Sequence, residues 1–256
     1  MSSAAKLHAL YRIGNADLRP YPFPHFYVDD VFPADFYARL RGCLPPPETY
    51  TPLAETGRVS PGAYKKRSVF FFEDEALAAL PAETAAFWRD TASWLLDEEM
   101  LGLLLAKFDG AIRQRFEGHA GHVKLVPETC LVKDGAGYAI GPHTDAPHRL
   151  LSLLFYLPPD DRWTHCGTSI YVPQDRDFTC EGGPHYLPGP FERLATMPYR
   201  PNGLFAFMKT NNAFHGVEQV TDPDIKRDLL LYDIRLEGRL ERDAPSDSPV
   251  VMEVAA

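Results

Sequence analysis

From residue 122 to about residue 236 the chain is a series of short apolar runs, each cut off by proline, glycine or an Asp/Asn cluster. The runs are 123–132, 138–145, 150–157, 168–172, 191–199, 203–208, 215–220 and 226–236. Pro158-Pro159 stops the most apolar of them, Leu150 to Leu157, and Pro173 stops the next. Proline lacks an N–H and fixes φ, so these boundaries forbid the long helices that such apolar segments would otherwise permit. About eight short strands separated by turns is the spacing expected of a jelly roll. The 24 prolines of the 256 residues carry the same message for the whole chain.

The first half reads differently. Up to about residue 33, alternating proline in Arg19-Pro20-Tyr21-Pro22-Phe23-Pro24 predicts an extended arm, with a short strand at Phe26-Tyr27-Val28. A helix begins at Pro33, with Phe36, Leu40 and Leu44 on one face, and Pro45-Pro46-Pro47 ends it. Residues 48–68 are polar and turn-rich, a candidate mobile loop, and Arg67 to Phe72 reads as a buried strand. From Glu75 to Glu117 the apolar spacing becomes three and four. Phe87, Trp88, Trp94 and Leu95, then Met100, Leu101, Leu104, Phe108 and Ile112, predict core-packing helices. The expected organisation is a single domain, 1–256. It has an α/β flank over 1–121, a jelly-roll core over 122–240 and a flexible tail over 241–256.

A net charge of −9 and a pI near 5.5 argue against nucleic acid or an anionic membrane as partner. No apolar run reaches transmembrane length and the N-terminus lacks a signal pattern, so a cytoplasmic protein is expected. Cys43, Cys130, Cys166 and Cys180 form no CxxC pair or zinc spacing and are expected to be reduced, packed thiols.

One stretch carries chemistry. Ala139-Ile140-Gly141-Pro142-His143-Thr144-Asp145 reads as a strand end running into a loop. His143 and Asp145, two residues apart, then point to the same side of the backbone. His215, in Phe214-His215-Gly216-Val217, supplies a third candidate. Two imidazoles and one carboxylate on one face form the ligand set that holds Fe(II) and leaves positions open.

With Arg227 twelve residues after His215, and Pro201 to Phe207 as the preceding strand, residues 122–237 resemble the Fe(II)/2-oxoglutarate-dependent oxygenases, in their prolyl hydroxylase-like branch. The resemblance implies a fold that is mainly β with an α flank, a double-stranded β-helix (jelly roll) core with N-terminal helices. It implies His143, Asp145 and His215 as catalytic metal ligands for Fe(II), with 2-oxoglutarate and O2 as co-substrates. Arg227 would pair the far carboxylate of 2-oxoglutarate, with Lys226 and Arg235 as alternates, because a guanidinium matches a carboxylate with two parallel hydrogen bonds. On a strand Arg227 shares a face with Leu229, Leu231, Asp233 and Arg235, and which face is inward stays open. Tyr138 is a candidate donor to co-substrate or substrate, or a structural tyrosine. Asp145, a carboxylate where related halogenases have a small residue, favours hydroxylation of a C–H bond, with release of succinate and CO2.

The surrounding polar residues have plainer readings. Asn211 and Asn212 are expected to cap a loop, and His148 and Arg149 to line the mouth of the site. Arg58, Lys65, Lys66 and Arg67 read as a solvated face rather than an acid clamp, and His119, His122, His165 and His185 as surface histidines. The expected partner is a small-molecule or amino-acid-type substrate, and homo-oligomerisation is left open. Two competing classes remain: a cupin-like metal-dependent dioxygenase or isomerase that does not use 2-oxoglutarate, and a non-catalytic jelly-roll binding protein.

Overall fold

Helix propensity and apolar spacing in the N-terminal half produce five helices. A computed structural model describes residues 2–59, 64–242 and 250–254. In it α1 spans Ser2–Asn15, α2 Ala34–Gly42, α3 Asp74–Ala78, α4 Ala82–Leu95 and α5 Glu98–Arg115. Helix α5 begins where the Asp97 side chain accepts a hydrogen bond from the Met100 N–H, satisfying one of the free first-turn donors. Glu98 and Glu99 follow in its first turn and Arg113 and Arg115 close its last, which suits the helix dipole at both ends.

Helix α1 departs from the extended arm expected over the first 33 residues. Its buried face is Ala5, Ala9 and Ile13, at helical spacing but with small side chains, so the apolar signal is weak. The proline-rich segment after it is extended, as expected.

The strands are β1 His25–Val28, β2 Thr51–Pro52, β3 Arg67–Phe71, β4 His119–Asp134, β5 Ile140–His143 and β6 Arg149–Tyr156. They continue as β7 Thr168–Pro173, β8 Phe191–Met197, β9 Gly203–Met208, β10 His215–Val217, β11 Arg227–Arg242 and β12 Val250–Val254. They form two sheets. The larger has the order β1-β9-β6-β11-β4-β3-β2, with β12 pairing in parallel alongside β4; the smaller has the order β5-β10-β7-β8. All other pairings are antiparallel. This is the mainly β jelly roll with N-terminal helices that the strand spacing predicts.

The tail expected to be flexible from residue 241 differs: β11 runs to Arg242, and β12 adds Val250 to Val254 to the sheet. The part of that expectation covering residues 243–249 lies outside the described residues.

The large sheet is buried on both faces, which is why its strands read as unbroken apolar runs rather than alternations. On β11, Leu230, Tyr232 and Ile234 join Leu151, Leu153 and Phe155 of β6 in a core built with Phe36, Leu40, Trp88, Leu104 and Phe108 of the helices. Burial of each such side chain contributes about 1.5–3 kcal/mol. The opposite face of the same strands turns toward the small sheet, where Val69, Val132, Ile140, Ile170, Phe207 and Leu229 form a second core. The cavity described next opens between the two sheets.

Candidate metal centre

His143 ends β5 and His215 begins β10, and the two are direct antiparallel partners in the small sheet. Their rings lie 4.3 Å apart, centroid to centroid. That pairing needs close strand approach, and glycine permits it: a Cβ on Gly216 would sit 2.5 Å from the Ile140 carbonyl oxygen, while Gly141 leaves room for the loop carbonyl of Tyr186 on its other side. Asp145 follows β5 by two residues and turns back toward both rings. The candidate ligand atoms of His143, Asp145 and His215 all fall within 4.8 Å of one another.

Each imidazole is oriented by its own chain. His143 Nδ1 lies 3.0 Å from the Gly141 carbonyl oxygen, and His215 Nδ1 3.0 Å from that of Ala213. A carbonyl only accepts, so Nδ1 carries the proton in both rings and Nε2 keeps its lone pair for the cavity. Asp145 is fixed as well: its Oδ2 accepts from Ser152 Oγ at 2.8 Å, leaving Oδ1 facing His215 Nε2 at 3.7 Å.

Electrostatics keeps His143 and Asp145 in their ligand forms. Burial, then the neighbouring His215, pushes the His143 imidazole down to about 3. Burial alone would push the Asp145 carboxyl up, but His215, Arg149 and His143 outweigh it and hold it at about 2. Neutral imidazole and ionised carboxylate are the forms that bind a metal.

The cavity beside the triad has a volume of about 480 Å³. Arg227, Leu229, Leu231, Asp233 and Arg235 all line it, so the face of β11 that sequence left undecided is the inward one. Cross-strand register arranges this wall in rows. At its base Arg67, Asp134 and Arg227 stand side by side on β3, β4 and β11. Two apolar rows follow, Val69-Val132-Leu229 and Phe71-Cys130-Leu231. Glu128, Asp233 and Ser152 form the next row, and Arg235 with Arg149 the last.

Arg227 is fully buried. Its Nε donates to the Cys166 carbonyl at 2.7 Å, Nη1 to Asp134 at 2.7 Å and Nη2 to Thr168 Oγ1 at 3.3 Å. A guanidinium has five N–H groups, and with Tyr156 also beside it Arg227 keeps little more than one for the cavity. Arg67 grips the same Asp134 through two bonds of 2.7 and 2.9 Å. Two arginines on one carboxylate leave one positive charge at the base of the cavity. Tyr138 lines the same base; its ring lies under the Arg67 guanidinium at 4.6 Å, and its buried hydroxyl has no hydrogen-bond partner.

Other sequence expectations divide. His148 and Arg149 line the cavity, as predicted. Lys226 is exposed and Arg235 lies at the opposite end from Arg227, so neither shares its place. Asn211 Oδ1 accepts from Lys209 within its own loop, as expected, whereas Asn212 Nδ2 donates to the Pro22 carbonyl and ties that loop to the N-terminal segment. Arg58 is exposed, as expected, although it also borders the cavity; Arg67 is not solvated but part-buried in the cavity wall, because β3 pairs with β4 at Asp134. His185 is exposed, as expected, yet its ring lies 4.7 Å from that of His143, and its Nε2 is 3.3 Å from Tyr64 Oη.

Sequence reasoning missed Ser152, Asp134, Thr168 and Lys209. Lys209 is buried, and its three N–H groups are shared among the Thr210 and Cys180 carbonyls, Asn211 Oδ1 and Thr144 Oγ1, tying the triad loop to its neighbours. Burial pushes its ammonium down to about 8.

No protein-family model and no curated protein matches the chain. Solved structures do. One is a prolyl hydroxylase in complex with a hypoxia inducible factor peptide from Trichoplax adhaerens, with a TM-score of 0.49 at 10% identity over 90% of this chain and 89% of that one. Another is an oxidoreductase of the 2OG-Fe(II) oxygenase family from Burkholderia pseudomallei, at 0.43 and 13% over 88% and 84%. HygX from Streptomyces hygroscopicus, with nickel and 2-oxoglutarate bound, gives 0.46 and 15% over 82% of each chain. The solved structures to which this chain is similar thus include 2-oxoglutarate/Fe(II) oxygenases.

Proposed function

We propose that the protein is an Fe(II)- and 2-oxoglutarate-dependent oxygenase that hydroxylates a C–H bond of a small-molecule or amino-acid-type substrate. One observation carries this reading: a single cavity joins the His143-Asp145-His215 triad to a buried arginine and an unpartnered tyrosine hydroxyl. The residues fit both groups. Two Nε2 atoms and one carboxylate oxygen offer one face of an Fe(II) site and leave the rest of its coordination open. The spare N–H capacity of Arg227 and the unpartnered Tyr138 hydroxyl are donors that the far carboxylate of 2-oxoglutarate would satisfy.

When bound, Fe(II), 2-oxoglutarate and O2 supply the oxidising chemistry, with succinate and CO2 as by-products. The chain's own part is placement. Ser152 holds one Asp145 oxygen so that the other faces the metal position. The Gly141 and Ala213 carbonyls fix both imidazoles in the correct tautomer. Asp134, braced by Arg67, turns the Arg227 guanidinium toward the cavity. Leu229, Leu231 and Val132 line the stretch between with apolar surface and keep water from competing for it.

The test is succinate formation from 2-oxoglutarate with Fe(II), ascorbate and O2, in wild type beside His143→Ala and Arg227→Ala. Uncoupled turnover in wild type, its loss in His143→Ala and weakened 2-oxoglutarate binding in Arg227→Ala are expected. No turnover, together with no 2-oxoglutarate-dependent absorbance on anaerobic Fe(II) addition, refutes the reading. The Arg227–Asp134 ion pair favours the competitor, a metal-dependent dioxygenase that does not use 2-oxoglutarate, in which Arg227 is purely structural. In that case the protein binds Fe(II) but 2-oxoglutarate changes nothing.

A further inference from the structure

The wall of the cavity distant from Arg227 is charged, and the proposed oxygenase reaction does not use that charge. Along β11 the inward residues run Arg227, Leu229, Leu231, Asp233, Arg235. At about 3.4 Å per residue the two end arginines are roughly 27 Å apart along the strand. The triad lies between them. His215 is the cross-strand partner of Ile170, two residues from the Thr168 that Arg227 holds, while Asp145 is hydrogen-bonded to Ser152, the cross-strand partner of Asp233. Arg149 and Arg235 are therefore adjacent to the triad on the side opposite the base arginines, and they are cross-strand partners of each other.

Apart from the candidate ligand Asp145, three arginines (Arg58, Arg149 and Arg235) and two carboxylates (Glu128 and Asp233) line this end. Glu128 is shared, 3.3 Å from Arg58 and 3.1 Å from Arg235, Asp233 pairs with Arg149, and the exposed Glu237 lies 3.9 Å from Arg235. Arg149 uses Nη1 on Asp233 and Arg235 uses Nε on Glu128, so each guanidinium keeps N–H groups that these pairs do not use, and the buried Nε of Arg149 has no partner. Buried N–H donors left without an acceptor are costly, and charged ones more so. A cavity that places one such donor, and the spare N–H groups of two guanidiniums, beside a reaction centre can receive an anionic acceptor from outside.

Arg149 is also held in place. Arg115 donates from both Nη atoms, at 2.7 Å each, to the carbonyls of Arg149 and Pro147. The backbone bearing Arg149 is thereby anchored to helix α5, four residues after the ligand Asp145. Fixed donors lose little freedom when a ligand arrives, which is how preorganised sites gain affinity.

We propose that the substrate of this site is a small carboxylate, received by Arg149 and Arg235 so that its carbon skeleton lies over the triad. The proposal rests on the oxygenase reading for the reaction and adds the substrate class. The volume of about 480 Å³ must be shared with the co-substrate, which restricts the substrate to a small molecule.

The test separates the two readings. Protein loaded with Ni(II) and 2-oxoglutarate, which cannot turn over, is titrated calorimetrically with a panel of C3 to C10 mono- and dicarboxylates, α-amino acids included, each beside its carboxamide. The same panel is scored for succinate formation with Fe(II). At least one carboxylate is expected to bind and to raise turnover about tenfold or more above the uncoupled rate, while its carboxamide does neither. Arg149→Gln should weaken that binding by about 10- to 150-fold, the range for losing hydrogen bonds to a charged group. Arg149→Lys, which keeps the charge, should recover part of it. Carboxamides that bind and stimulate as well as their acids, or a panel with no binder, overturn the carboxylate assignment. Failure of wild type to bind 2-oxoglutarate overturns the oxygenase reading instead. The acid-against-amide comparison is made on wild type, so a misfolded variant leaves it intact.

Discussion

Tyr138→Phe separates a binding tyrosine from a structural one by the sign of two effects. The Tyr138 ring is fully buried, but its hydroxyl has no partner. An unsatisfied buried polar group costs about 1–3 kcal/mol, less where water enters. Removing the oxygen leaves the ring in place under the Arg67 guanidinium. Without co-substrate the variant should therefore be as stable as wild type, or more stable by about 1 kcal/mol, a rise of about 2–4 °C in Tm. With co-substrate the effect reverses. One lost hydrogen bond to a carboxylate is worth about 1.5–3 kcal/mol, or roughly 10- to 150-fold in affinity. Thermal unfolding of the ligand-free protein and anaerobic 2-oxoglutarate titration of the Fe(II) form measure the two quantities. Unchanged affinity accompanied by a Tm several degrees lower refutes the reasoning, because Tyr138 would then be held by packing around its hydroxyl.

Asp134→Asn removes the one carboxylate that Arg67 and Arg227 share, leaving two buried guanidiniums facing a neutral amide. It should cost about 3–5 kcal/mol and lower Tm by roughly 6–20 °C, and a shift below 3 °C contradicts the pairing. Gly216→Ala places a Cβ against the Ile140 carbonyl oxygen, so the β5–β10 pair must open beside both histidines. Fe(II) affinity, followed by equilibrium dialysis, should fall together with Tm; unchanged affinity contradicts the close-approach argument. His143 has a native imidazole pushed down to about 3, against about 6.5 in the unfolded chain. A depressed native value means that the unfolded state takes up the proton first, so metal-free stability is full above pH 6.5 and declines toward pH 3. The decline attributable to this group is at most about 1.4 kcal/mol per pH unit. Urea midpoints between pH 7 and 4 should fall less steeply in His143→Asn than in wild type, and equal slopes refute the assignment.

Much of the core was legible because its information is local. A proline or glycine at each strand end, and an apolar run between, need no knowledge of the partner strand. The HxD spacing is local too, since alternation along a strand is enough to put His143 and Asp145 on one side. What was missed depends on pairing. Arg67 sits in a run with Arg58, Lys65 and Lys66 that reads as solvated, and only the register of β3 with β4 brings it to Asp134. Ser152 lies inside an apolar run and gains its role from a bond to Asp145 seven residues earlier. Helix α1 and strand β12 escaped for another reason. Their apolar signals are slight, Ala5 and Ala9 in one case and five residues beyond a polar tail in the other, and the surface they bury is supplied by elements far along the chain.

The same accounting explains why the charged cavity and the helical flank belong together. Arg227, Asp233 and Arg235 place ionisable groups on the inner face of β11, where desolvation opposes folding and ion pairing offsets only part of the cost. The strand cannot be stabilised from that side alone. Its alternate residues Leu230, Tyr232 and Ile234 are all buried against the helix-packed core. At about 1.5–3 kcal/mol each, these three side chains offset an inner face that is expensive to keep. The N-terminal helices therefore do more than cover a sheet. By supplying apolar burial on one side of β11 they let the other side carry a cationic base, an apolar middle and a charged mouth. A strand of that composition would not hold its register if it were exposed on its outer face.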